Sequence, residues 1–185
     1  MFKNALKRSS AASFLTLGIL LPVSLLTAPS QAVELGEGER AFEKGPRSIR
    51  TAATSNSSNS STAKYQFTIK VPEDAGEALE AVRIQQKGFD SVEFKQAKSS
   101  AFKGDSLAGG PELSLAAVGG NDFESGEATI VFDPPVEPGN TVTVSLKPER
   151  NPFSGGVYQF GVTAFPTGEN SRGMYLGSGR IRIYD

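Results

Sequence analysis

The chain has 185 residues, 38% of them hydrophobic and 21% charged, with a net charge of −1, which suits one folded domain plus a terminal extension. It contains no Cys and no His, so disulfides, Ser-His-Asp and Cys-His catalytic arrangements, zinc sites with N or S ligands and blue-copper sites are all excluded. Residues 33–185 carry 16 Lys and Arg against 20 Asp and Glu, a net charge of −4, which gives no electrostatic basis for nucleic acid as a main partner.

Met1–Ser10 holds Lys3, Lys7 and Arg8. Ala11–Thr27 is an uncharged apolar run of 17 residues, and Ala28–Ala32 brings small residues around Pro29. This order predicts a signal peptide over 1–32, cleaved before Val33, with Ser30 and Ala32 at the −3 and −1 positions. The run is short for a hydrocarbon layer of about 30 Å, and Pro22 interrupts it. No second apolar run follows, so the expectation is an exported chain with no membrane span after cleavage.

Residues 33–64 read as a disordered polar tether. Val33–Arg50 has no sustained period, and Thr51–Ala63 (TAATSNSSNSSTA) is low-complexity sequence with little apolar area to bury. From Tyr65 the texture changes to the period-2 alternation of half-buried strands. Tyr65, Phe67, Ile69 and Val71 share a face. Pro72, Glu73 and Asp74 then resemble a helical first turn, and Ala75, Leu79 and Val82 recur at i, i+4 and i+7, which predicts a short helix. Further alternation marks Val92 with Phe94; Leu113, Leu115 and Ala117; Ala128, Ile130 and Phe132; Val142, Val144 and Leu146; Tyr158, Phe160, Val162 and Ala164; and Ile181 with Ile183. Arg83–Gln86 is a possible eighth strand. Val144 and Phe160 are expected to point inward, and Thr143 and Gln159 outward. About seven antiparallel strands over 65–185, each with one apolar face, require two facing sheets, so the predicted fold is all-β: an immunoglobulin-like sandwich with one short helix near the domain N-terminus.

The search for chemistry returns few candidates. Asn121–Glu127 places Asp122, Glu124 and Glu127 around a turn, a set of hard oxygen ligands for calcium, but its spacing matches no EF-hand and such tips are normally solvated. Asp122, Glu124 and Asp133 are the carboxylates of a conceivable hydrolase, although nothing in the sequence predicts a cleft. Between the predicted strands, Arg150, Asn151 and Phe153 form the candidate binding loop: a guanidinium suited to a carboxylate or phosphate, beside an aromatic at a loop tip. The competing reading pairs Arg150 with Asp133 or Glu149 and packs Phe153. Gly156-Val157-Tyr158-Gln159-Phe160 has the spacing of a tyrosine corner, which gives Tyr158 a structural role.

Phe67–Pro72 leading to Asp74-Ala75-Gly76, then Phe132-Asp133-Pro134-Pro135-Val136, Arg150-Asn151-Pro152, Gly155-Gly156-Val157-Tyr158 and Val162-Thr163-Ala164-Phe165-Pro166 resemble the cyanobacterial exported family catalogued as domain of unknown function two thousand eight hundred and eight. The resemblance covers 65–185. It implies a periplasmic or envelope location, with the thylakoid lumen and the medium as alternatives, and carries no activity, ligand or catalytic residue. The functional expectation is a non-enzymatic binding module of the cell envelope or periplasm, with no cofactor and no metal, acting on a protein or an envelope component. The alternatives are a self-associating structural component of envelope or matrix, and a small calcium-binding or carboxylate hydrolase domain.

Overall fold

The computed structural model describes residues 33–35, 38–88, 92–106, 109–119 and 126–185. The expected leader and the acidic tip Asn121–Ser125 lie outside the described residues. None of the described helices is long and apolar enough to cross a membrane.

Two short strands, β1 (Val33–Leu35) and β2 (Glu39–Ala41), pair as an antiparallel ribbon. The first large sheet contains β3 (Arg47–Ala53), β4 (Tyr65–Lys70), β6 (Ser100–Lys103), β7 (Glu112–Leu113) and β10 (Thr141–Leu146), in the spatial order β3-β4-β10-β6-β7. The second contains β5 (Leu79–Lys87), β8 (Leu115–Gly119), β9 (Glu127–Val136), β11 (Gly156–Pro166) and β12 (Met174–Ile183), in the order β12-β11-β5-β9-β8. Every pairing among these strands is antiparallel. The inner faces meet in one core, as alternating apolar strands require. Phe160 lies at its centre, edge-on to Tyr65 at 5.3 Å and to Phe67 at 5.8 Å between ring centroids.

The predicted helix is absent. Glu73 and Asp74 form a turn closed by the Ala75 N–H on Pro72 O at 3.3 Å, Gly76 lies in the left-handed region at φ +80°, and Leu79 opens strand β5. A β-bulge between Leu79 and Ala81 puts Leu79 and Val82 on the same buried face although they are three residues apart. That spacing is what a helix would show, so the bulge imitated a 3.6-residue period. Val92 and Phe94 do not form a strand; the Val92 N–H donates to Gln86 Oε1 at 2.9 Å, Phe94 makes a bridge to Pro148, and a single 3₁₀ turn follows at Gln96–Lys98. Leu113 and Leu115 do not share a strand either. The chain crosses between sheets at Ser114, so β7 belongs to one and β8 to the other.

The disordered tether is also corrected. Arg47–Ala53 is a strand along the whole of β4, and the Ser- and Asn-rich residues that follow form an ordered loop back to Tyr65. The sandwich therefore begins before Tyr65. Strand β3 also packs against β12 across the gap between the sheets, so closely that a Cβ on Gly179 would meet the Thr51 hydroxyl at 2.0 Å. One edge of the sandwich is thereby closed; the Ser114 crossing closes the other.

The register of β10 holds for Val144 and fails for Thr143, which is 0% exposed. Its hydroxyl donates to the Gly104 carbonyl at 2.9 Å and shares a hydrogen bond of 3.0 Å with the Thr68 hydroxyl on β4. The outer face of these two central strands is a buried polar strip, Gln66, Thr68, Thr143 and Ser145, and alternation alone cannot distinguish such a strip from a wet face. Thr143→Val should cost about 1–3 kcal/mol in chemical denaturation, because Thr68 and Gly104 lose their partner. An unchanged midpoint would contradict the buried hydroxyl pair.

Candidate functional site

The loop from β10 to β11 forms one end of the sandwich, and its position depends on Asn151. This side chain is 0% exposed, and both of its polar atoms have partners. Its Oδ1 accepts from the Tyr65 hydroxyl at 2.9 Å, and its Nδ2 donates to the carbonyls of Ser55 at 3.0 Å and Ser57 at 2.8 Å. Its backbone N–H donates to Ser60 O at 2.8 Å, and Pro152 O accepts from the Asn59 N–H at 2.9 Å. A residue expected at a binding surface is instead a buried joint between β4, the loop after β3 and the loop after β10. Asn-Pro in a loop gives no hint of this role, because its partners lie some 90 residues away in sequence.

Around this joint the polar loop is stitched down residue by residue. The Lys147 ammonium donates to Ala63 O at 2.9 Å and to Ser61 O; burial, together with the positive charge of Lys95, Lys98 and Lys64, lowers its pKa. Asn56 Nδ2 donates to Arg182 O at 2.6 Å, and Tyr184 exchanges backbone bonds with Asn56 and Ser58, each of 2.7 Å. Asn59 takes the left-handed conformation, φ 53°, which Asn tolerates better than most residues.

Arg150 pairs with neither Asp133 nor Glu149. Its Nη1 donates to Asn59 Oδ1 at 2.7 Å, and its guanidinium lies 5.8 Å from the centroid of the Phe153 ring. Glu149 lies 3.9 Å from the Lys95 ammonium instead. Phe153 is 72% exposed, so it does not plug the end of the sandwich. The Tyr158 hydroxyl donates to Ser154 O at 2.8 Å, four residues upstream, which is the bond that a tyrosine corner makes. Between this loop and Val92–Glu93 lies an open cleft of about 370 Å³, walled by Glu93, Glu149, Arg150, Phe153 and Tyr158. Among the described residues no cluster of three or more His, Cys, Asp or Glu is arranged to hold a metal ion, and the Asp122–Glu124 part of the expected calcium loop lies outside them.

Residues 39–183 match the family model described as "Protein of unknown function (DUF2808)", and the chain belongs to that family. The match begins within β2, well inside the stretch expected to be a tether. No curated protein matches the sequence. Among solved structures the chain is similar to a DUF4466 family protein from Parabacteroides merdae at 12% identity and TM-score 0.43, covering 77% of this chain and 44% of that one. It is similar to an uncharacterized protein with an immunoglobulin-like fold from Nocardia farcinica at 16% identity and TM-score 0.40, covering 73% and 98%. It is also similar to the collagen-binding domain of a Staphylococcus aureus adhesin at 6% identity and TM-score 0.37, covering 66% and 87%. At these values the likenesses carry no argument about ligand or activity.

The joint makes a prediction about pH. Burial, with Tyr158 beside it, raises the Tyr65 phenol well above its ordinary pKa of 10.0, so the folded chain keeps a proton that the unfolded chain gives up. Its contribution to stability is complete below pH 10 and is lost as the pH climbs beyond that value. Tyr65→Phe should cost about 1–3 kcal/mol at neutral pH by orphaning Asn151 Oδ1, and should flatten the alkaline loss of stability. Denaturation midpoints between neutral and strongly alkaline pH test both effects; a variant with the parent's alkaline slope would show that this phenol is not the titrating group.

Proposed function

We propose that this chain is an exported, non-enzymatic, immunoglobulin-like β-sandwich that binds a protein or an envelope component through the end of the sandwich around Arg150 and Phe153. One observation carries the reading: Phe153 stands 72% exposed on a loop that the buried Asn151 holds rigid from beneath. An exposed aromatic beside an arginine on a preorganised support is the usual make-up of a binding hot spot, since little side-chain or loop entropy is lost when it docks. The adjoining cleft provides a recess for a partner side chain. Export rests on the leader read over 1–32 in the sequence.

The test is quantitative cross-linking capture from an envelope fraction with the parent chain and with Arg150→Ala/Phe153→Ala. Both side chains are exposed, so the melting temperature should stay within about 2 °C of the parent's while capture of the specific partner falls about tenfold or more. Undiminished capture by a folded variant would remove this end of the sandwich as the contact surface. A variant that unfolds would make the loop architecture.

A further inference from the structure

The outer face of the second sheet lies apart from the Phe153 loop and has its own chemistry. Reading across β12, β11 and β5 in register, Arg180 opposes Gln159, which in turn opposes Lys87. One step toward the chain termini, Arg182 opposes Val157; in the other direction Tyr175 opposes Thr163, which opposes Arg83. Arg83, Lys87, Arg180 and Arg182 are all exposed, as are Gln159, Val157 and Tyr175. Glu127 of β9 shares the face, its Oε1 lying 3.9 Å from Arg83 Nε. Among the described residues no carboxylate lies within 4.0 Å of Lys87, Arg180 or Arg182. Residues 33–185 are net acidic, so this is a segregated patch of positive charge and not the average surface.

The patch has a built floor. Gly161 of β11 leaves room for the Lys87 stem and the Tyr175 ring to lie over the backbone; a Cβ there would meet Lys87 Cε at 3.0 Å and Tyr175 Cε2 at 3.1 Å. The Lys87 ammonium sits 4.7 Å from the Tyr175 ring centroid, and the Tyr175 and Ser178 hydroxyls are 2.6 Å apart. Arg83 lies over Phe165 at 4.9 Å. Cations held against aromatic faces are partly preordered, which lowers the entropy lost when they engage an anion.

We infer that this face is a docking platform for an extended acidic polysaccharide of the uronate type. The cations repeat at about 6.8 Å along β12 and at about 10 Å across the strands, the pattern of a multivalent polymer and not of one small anion. Arginine receives carboxylates in a bidentate fork. The Gln159 amide and the Ser178 and Tyr175 hydroxyls both donate and accept, which suits ring hydroxyls better than lipid phosphates. Val157 and Tyr175 are the exposed large hydrophobic side chains among the paired residues of this face, and the vesicle arm of the experiment below tests a bilayer surface directly. A second basic group, Lys64, Lys95, Lys98 and Lys147, lies on the first sheet's side, but there Lys147 is spent on the Ser61 and Ala63 carbonyls and Lys95 faces Glu149.

The experiment uses the purified chain with polygalacturonate as probe, beside neutral dextran, phosphatidylglycerol vesicles and duplex DNA. Polygalacturonate should bind, with affinity falling about tenfold or more from low salt to about 0.3 M, because exposed charges are screened. Arg180→Gln/Arg182→Gln should weaken it about tenfold at an unchanged melting temperature. Carbodiimide cross-linking of uronate carboxylates to the unaltered chain should tag Lys87 ahead of Lys64, Lys95 and Lys98, a result that needs no variant. The proposal is overturned by equal binding to dextran, by no binding to polygalacturonate, by tighter binding to vesicles or DNA, by tagging of the other lysine group, or by a folded variant of undiminished affinity.

Discussion

The buried side chain of Asn151 is the constraint on which the rest of this architecture depends. A carboxamide in an apolar core is costly unless every polar atom is satisfied. Here it is satisfied by groups from two segments distant from its own: the Tyr65 phenol of β4 and the Ser55 and Ser57 carbonyls of the loop after β3. Each partner is therefore held to the others. The loop after β3 cannot drift without orphaning the amide, and β3 is kept in register along β4. Burial keeps the Tyr65 proton in place, so the phenol remains a donor at neutral pH.

Closure of the sandwich follows from that arrangement. Strand β3 reaches across to β12, and the chain changes sheets at Ser114 on the opposite side, so both lateral openings are covered. Open strand edges invite pairing with other chains, and short or covered ones suppress it. The molecule presents two described surfaces of distinct chemistry: the Arg150–Phe153 end, where an aromatic projects, and the outer face of the second sheet, where Arg83 and Lys87 lie over rings.

Much of the fold was legible in the sequence because alternation reports directly on one-sided burial. Tyr65–Val71, Val142–Leu146, Tyr158–Ala164 and Ile181–Ile183 all present the expected residues to the core. The errors share a cause. Composition scored 33–64 as unable to order because it has little apolar area, yet backbone pairing and hydrogen bonds from Asn56, Asn151 and Lys147 order it instead. Local periodicity read a bulged strand start as a helix, since a bulge shifts the face by one residue. Thr143 looked like a surface residue because small hydroxylated side chains suit both wet faces and dry polar seams. The candidate loop was located at Arg150–Phe153, but which of its residues face outward depends on contacts across some 90 positions of sequence, which no local pattern encodes.

The most direct measurement is amide hydrogen exchange across Arg47–Ala63 in the intact chain. The N–H groups of β3 that face β4 and the backbone donors of Thr54, Ser58 and Asn59 are bonded, so their protection should approach that of β4 and exceed free-chain exchange by about a thousandfold or more. Exchange of the whole segment at the free-chain rate, with β4 still protected, would mean that Asn151 does not fasten this loop and that the polar stretch is a tether after all.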